Sequence, residues 1–180
     1  MEAKTHGPWA PLPWFMTTAP AVRRETILRP RILALLDESV PAAPLTLVCA
    51  PSGYGKTVAV GQWARGRRHT GWLTGTGSAE AIALVRGGLL TVLPPGVRHR
   101  VLTTDPNDPS ATLAEALAEL DEPVTLVIDD AHLIDSDALR ALVAGGPALA
   151  SGMLRLVLLG SASLERAFAR DHEADRHEED

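Results

Sequence analysis

Residues 50–57, Ala50-Pro51-Ser52-Gly53-Tyr54-Gly55-Lys56-Thr57, combine the residue types needed to hold a polyphosphate. Glycines at 53 and 55 let the backbone turn tightly and bring its N–H groups close to an anion. The Lys56 ammonium can neutralise phosphate oxygens, and the Thr57 hydroxyl is an oxygen ligand suited to Mg²⁺. Further along, the apolar run Val124–Ile128 delivers two carboxylates, Asp129 and Asp130. Asp129 is expected to hold the metal through water, and Asp130 to polarise an attacking water as a general base. Either string alone could be a plain glycine turn or a polar Asp-Asp turn. Their pairing argues for Mg-nucleotide chemistry.

For these groups to meet, particular elements must carry them. Leu45–Ala50 is a short apolar run rich in β-formers, as expected of a strand buried on both faces. The loop then opens into a helix from about Lys56 to Arg65, whose N-terminal dipole favours an anion. The contacts expected for a nucleotide run through Ser52, Gly53, Tyr54, Gly55, Lys56, Thr57 and Val58. Further strands are expected at Thr70–Thr74, Val124–Ile128 and Leu154–Leu159, with a short one at His99–Thr103. Helices are expected from about Pro30 to Pro41, over Ala79–Val92, after an Asp108 cap with Pro109 at the first turn, and after Asp135 or Ser136. Leu113, Ala116, Leu117 and Leu120 give the third of these an amphipathic stripe. Strands alternating with helices imply a parallel sheet with helices on its faces. In such a sheet, strand C-termini and ligands share one end, so Asp129 belongs beside the glycine loop.

The bulk composition limits the other possibilities. A chain of 180 residues fits one α/β domain with tails. Its net charge is −5, and the segment 165–180 carries seven acids against three arginines. That balance is unlike the basic footprint of a nucleic-acid binder. The single cysteine, Cys49, excludes an internal disulfide and suits a reducing, cytoplasmic setting. No apolar run reaches the roughly 20 residues a membrane helix needs. Prolines 8, 11 and 13 interrupt the apolar stretch that could otherwise be taken for a secretion signal. The expected organisation is an irregular arm over 1–24, a nucleotide domain over 25–165 and an acidic disordered tail over 166–180. Within the arm, Trp9 and Trp14 either dock on the domain or belong to a loose tail.

Longer matches sharpen this picture. Arg29–Asp37, Leu47–Thr57 running into Gln62-Trp63-Ala64, Trp72-Leu73, and Val127-Ile128-Asp129-Asp130-Ala131-His132-Leu133-Ile134-Asp135 together resemble the STAND class of signal-transduction ATPases. Within that class the resemblance is to the ATPase domain of large LuxR-type, maltose-regulator-like bacterial regulators, and it covers about 25–164. It implies a P-loop NTPase three-layer fold, with a parallel sheet of four to five strands and helices on both faces. It also implies ATP and Mg²⁺ as ligands, Lys56 and Thr57 as their contacts, Asp129 and Asp130 as the metal and hydrolysis pair, and 29–31 near the adenine. No guanine-specific Asn/Thr-Lys-x-Asp string is evident, which agrees with ATP.

Three departures from the resemblance matter. Thr74-Gly75-Thr76-Gly77-Ser78 stands where that class carries an acidic stretch. Ser161 stands where an arginine senses the γ-phosphate, so hydrolysis is expected to be slow. The chain also ends in an acidic tail, before the family's last core strand and its DNA-binding module. The edge of strand 45–50 is then either open to a protein partner or self-association, or covered by 98–103 or the N-terminal arm. Three readings stay open: a shortened ATP-dependent switch with weak ATPase activity, a non-hydrolysing nucleotide-binding interaction protein, and an inactive remnant of a regulator.

Overall fold

The computed structural model describes residues 12–21, 26–77, 81–103 and 109–174. Trp9, the Asp108 cap, Ser78 and the end of the acidic tail, 175–180, lie outside the described residues.

Along the chain the elements are α1 (Pro30–Ala42), β1 (Leu45–Cys49), α2 (Lys56–Ala64), β2 (Thr70–Thr74), α3 (Ala81–Leu89), α4 (Pro95–Leu102), α5 (Pro109–Leu117), β3 (Val124–Asp129), α6 (Ser136–Gly145), α7 (Pro147–Ala150), β4 (Leu154–Gly160) and α8 (Ala162–Ala174). The four strands form one parallel sheet in the order β1-β4-β3-β2. This is the α/β P-loop NTPase fold expected from the sequence.

The strands are mostly apolar because both faces of the sheet are covered. On one face Trp72, Val127, Val157 and Leu159 pack against Leu36 and Val40 of α1 and Val60 and Trp63 of α2. On the other, Leu73, Leu126, Ile128, Leu156 and Leu158 meet residues of α3, α4, α5, α6 and α8. Successive strand residues alternate between the two clusters, the period of two that a pleated strand imposes. Two helical layers around one sheet put all four strand C-termini at the same end of the molecule.

Several local expectations are corrected. Residues 98–103 do not form a strand. They lie mostly in α4, where Pro95 occupies the first turn and Val97 and Val101, one turn apart, are buried. α1 does not stop at Pro41 but runs one residue past it; so close to the helix end, a proline forfeits few intrahelical bonds. The segment from 166 is not a disordered tail as far as it is described. α8 continues to Ala174, and Leu164 and Phe168, four residues apart, dock its first two turns on the larger core cluster.

Neither candidate covers the edge at β1. α4 packs against α5, and the described arm lies beside β2 at the opposite edge. There Leu12 and Met16 join the larger cluster and Ala19 the smaller. Trp14 is 76% exposed, so apolar residues of the arm other than this tryptophan make the contact. Among the described residues β1 keeps a free outer edge, and all five of its residues are partly exposed.

Candidate functional site

The loop after β1 begins where Ala50 N–H donates to the Gly160 carbonyl of β4 at 3.3 Å. It then rises through Ser52, Gly53 and Tyr54, all exposed, into α2. Gly53 and Gly55 have φ of 83° and 76°, left-handed values that cost a side-chain-bearing residue strain. Gly55 is also the residue that caps α2. The helix therefore starts with its free N–H groups at the top of the sheet, where an anion is favoured. Lys56 and Thr57 are half-buried, and Val58 is exposed on the outer side.

The Lys56 ammonium lies against its own loop. Nζ donates to the carbonyl oxygens of Ala50 at 2.7 Å and Pro51 at 3.1 Å. Thr57 faces across the sheet, where its Oγ1 donates to Asp129 Oδ1 at 3.0 Å. The same carboxylate oxygen accepts the backbone N–H of Asp130 at 3.0 Å. Asp129 is only 6% exposed, the sole acid among the buried polar side chains of the described residues. Burial pushes its carboxyl above the ordinary range, with the Thr57 hydrogen bond pulling the other way and the neighbouring Asp130 charge adding to the rise.

Asp130 turns the chain out of β3 with φ 50° and ψ 37°, the one non-glycine left-handed residue among those described. A short polar side chain tolerates that conformation better than most. Its carboxylate is exposed at the same end of the sheet as the loop. His132 follows in a 3-10 turn, exposed and away from any cluster that could hold a metal. Ser161 follows β4, with its hydroxyl 2.7 Å from that of Ser163.

Sequence reasoning missed three supporting contacts. Gly75 follows β2 and its N–H donates to the Asp129 carbonyl at 2.7 Å. A Cβ at 75 would lie 2.7 Å from the Asp130 carbonyl oxygen, so only glycine fits without displacing the acidic pair. The glycine in Thr74–Gly77, noted earlier only for its missing acids, was the available signal. Asp37 of α1 accepts the Trp63 indole N–H at 2.8 Å and pairs with Arg67, whose guanidinium stacks 4.7 Å from the Trp63 ring centre. Arg29 donates to the Tyr54 carbonyl at 3.0 Å, so it meets the loop itself.

Cys49 is the last residue of β1 and a free thiol. Burial, helped by the Glu165 charge and opposed by Lys56, pushes its thiol up.

The donor set suits one class of metal. Thr57 and Asp129 present oxygens, which hard divalent cations prefer. Among the described residues no group of three His, Cys, Asp or Glu could hold an ion alone. Thr57 directly and Asp129 through water could hold such an ion only together with phosphates and water, the way Mg²⁺ is ordinarily carried with a nucleotide.

No protein-family model matches the chain. The HTH-type transcriptional regulator MalT of Yersinia enterocolitica is 33% identical over an alignment covering 67% of this chain and 14% of the regulator. MalT of Serratia proteamaculans is 35% identical, with the same two shares. The chain thus spans about one seventh of the length of the curated relatives it matches. Among solved structures, Cdc6p from Pyrobaculum aerophilum superposes with a TM-score of 0.56 at 19% identity, over 81% of this chain and 44% of that one, a likeness of fold. Among the described residues no helix is long and apolar enough to cross a membrane.

Proposed function

Because the chain carries a STAND-like P-loop domain of MalT-type regulators, we infer that it is an ATP- and Mg²⁺-binding switch with slow hydrolysis. The observation that carries this reading is the Thr57–Asp129 contact. It joins the residue after the loop lysine to the carboxylate ending β3, with β4 lying between β1 and β3. A hydroxyl and a buried carboxylate held at 3.0 Å offer a preset pair of oxygens to the metal of a Mg-nucleotide.

In this reading each residue has a distinct task. The amides of 53–57 receive the β-phosphate, aided by the dipole of α2. Lys56 exchanges the Ala50 and Pro51 carbonyls for phosphate oxygens, so binding breaks two contacts of the loop with itself. Thr57 and Asp129 hold Mg²⁺, which when bound neutralises charge on the β- and γ-phosphates. Asp130, exposed beside them, orients and deprotonates a water. Ser161, a neutral hydroxyl at the end of β4, supplies no cation to the γ-phosphate, which supports weak turnover and a role set by occupancy. A partner or second copy of the chain would find an unpaired strand edge at β1.

The test is a titration of Mg-ATP into the purified protein, with Lys56→Ala as control. Saturable binding in the parent and its loss in the variant is the expected result; no affinity in the parent discards the reading. Phosphate release, measured alongside, divides a slow ATPase from a switch that binds without hydrolysis.

A further inference from the structure

Arg29 stands just before α1 and reaches 25 residues along the chain to the loop. Its Nη1 donates to the Tyr54 carbonyl at 3.0 Å, and Nη2 would lie 3.6 Å from a Cβ built on Gly55. The guanidinium therefore lies against the 54–55 peptide. That peptide is trans, so its C=O and N–H point in opposite directions. A grip on the Tyr54 carbonyl consequently turns the Gly55 N–H away from Arg29.

The far end of the grip is fixed. Arg29's own carbonyl accepts the N–H groups of Ile32 and Leu33, at 2.9 and 3.1 Å, which ties it to the first turn of α1. α1 is joined to α2 through Asp37, which holds both Trp63 and Arg67. α2 starts at Lys56, directly after the loop. Loop, α2, the Asp37 clamp, α1 and Arg29 close a ring, so a loop that relaxes away from α1 gives up the Arg29–Tyr54 contact.

We propose that Arg29 is a positioning residue that braces the phosphate loop from α1 and presets the 54–55 peptide for a polyphosphate. This rests on the nucleotide reading of the same site. The brace acts on the phosphates and not on the base. It raises affinity by fixing in advance a loop that would otherwise have to be ordered on binding.

Base-free ligand separates the two roles. Mg-tripolyphosphate, Mg-ATP and adenosine are titrated against the parent, Arg29→Ala, Arg29→Lys and Asp37→Ala. Arg29→Ala is expected to weaken tripolyphosphate by about tenfold, with adenosine unchanged within about twofold. Arg29→Lys should restore most of the loss, because an ammonium can still donate to the Tyr54 carbonyl. Asp37→Ala, on the far side of the ring, should shift tripolyphosphate the same way by less. Equal tripolyphosphate affinity in Arg29→Ala and the parent overturns the brace, as does a loss confined to adenosine. A parent that takes Mg-ATP but not tripolyphosphate overturns it too. A parent that binds neither removes the nucleotide reading itself.

Discussion

The Thr57 hydroxyl and the Asp129 carboxylate lie 3.0 Å apart, although 72 residues of chain separate them. Two elements create that contact. α2 opens from a glycine turn at the top of β1, and β3 ends at the same height with β4 between them. A hydroxyl that donates to a buried carboxylate partly compensates the loss of water around it. If a cation binds here as proposed, the Thr57 hydroxyl must turn its proton away from the Asp129 carboxylate so that its oxygen can face the ion.

Thr57→Val keeps the shape of the side chain and removes the donor. The parent is expected to bind Mg-ATP more tightly than ATP in EDTA, and in the variant this preference should fall by about tenfold. Calorimetric titration with and without metal reads it. A variant with the parent's full metal preference would show that position 57 does not serve the ion.

Asp129→Asn should raise the stability of the ligand-free protein at neutral pH. Asparagine can still accept from Thr57 and from the Asp130 N–H, but carries no buried charge. The sign follows from the raised carboxyl. A carboxyl whose folded pKa exceeds its unfolded value of 3.8 stabilises the fold only when protonated. That stabilisation is complete below 3.8 and is lost as pH rises through the folded value. The advantage of asparagine should therefore be greatest near pH 7 and shrink on acidification. Thermal melts across pH test this; an advantage that stays constant or grows toward low pH refutes it. Mg-nucleotide binding should fall in the same variant, as expected where function sets a cost on stability.

The central strands and the two ends of the site were legible in the sequence because each is local. Val124–Ile128 is apolar but for Thr125, since Val127 and Ile128 face opposite helical layers and both need burying. Lys56, Thr57, Asp129 and Asp130 have types tied to a known chemistry, and parallel topology brings them to one end. What was not legible depends on long-range contact. The spacing of Val97 and Val101 becomes a helix signature only once both are seen buried in the larger cluster, which no local pattern shows. Gly75 had a visible type but an invisible reason, the Asp130 carbonyl lying 2.7 Å from where its Cβ would be. Asp37 carries no motif, and its role appears only when α1 lies beside Trp63 and Arg67.

Gly75→Ala should damage the site without touching a ligand. The added methyl meets the Asp130 carbonyl oxygen at 2.7 Å and the Asp129 carbonyl oxygen at 3.2 Å, both backbone atoms with little freedom to move. A loss of about 1–3 kcal/mol in stability is expected, with weaker Mg-ATP binding. Gly77→Ala is the control, because its Cβ would find only an ordinary contact of 3.5 Å with the Leu133 carbonyl. Chemical denaturation of both variants decides it. Equal stability in the two would mean that the loop after β2 yields freely.

Lys56→Ala should affect the empty protein as well as the filled one. In the ligand-free state the ammonium joins the Ala50 and Pro51 carbonyls, one bond partly buried and the other exposed. Their loss should cost about 1 kcal/mol. The larger consequence is the loss of Mg-ATP affinity. A variant that melts like the parent without ligand would assign the lysine to the nucleotide alone.

Asp130 needs two substitutions, because its backbone and its carboxylate would both be altered by alanine. At φ 50° and ψ 37°, alanine pays the left-handed penalty of about 1 kcal/mol, whereas asparagine tolerates the conformation much as aspartate does. Asp130→Ala should therefore be less stable than Asp130→Asn by about that amount. Both lack the carboxylate that would take a proton from water, so both should lose phosphate release by about 100-fold if the parent hydrolyses ATP through this group. Single-turnover phosphate release at saturating Mg-ATP, beside denaturation curves, reads the two effects separately. If Asp130→Asn released phosphate at the parent's rate, the carboxylate would have no part in the chemistry, and the defect of the alanine variant would belong to the strained turn.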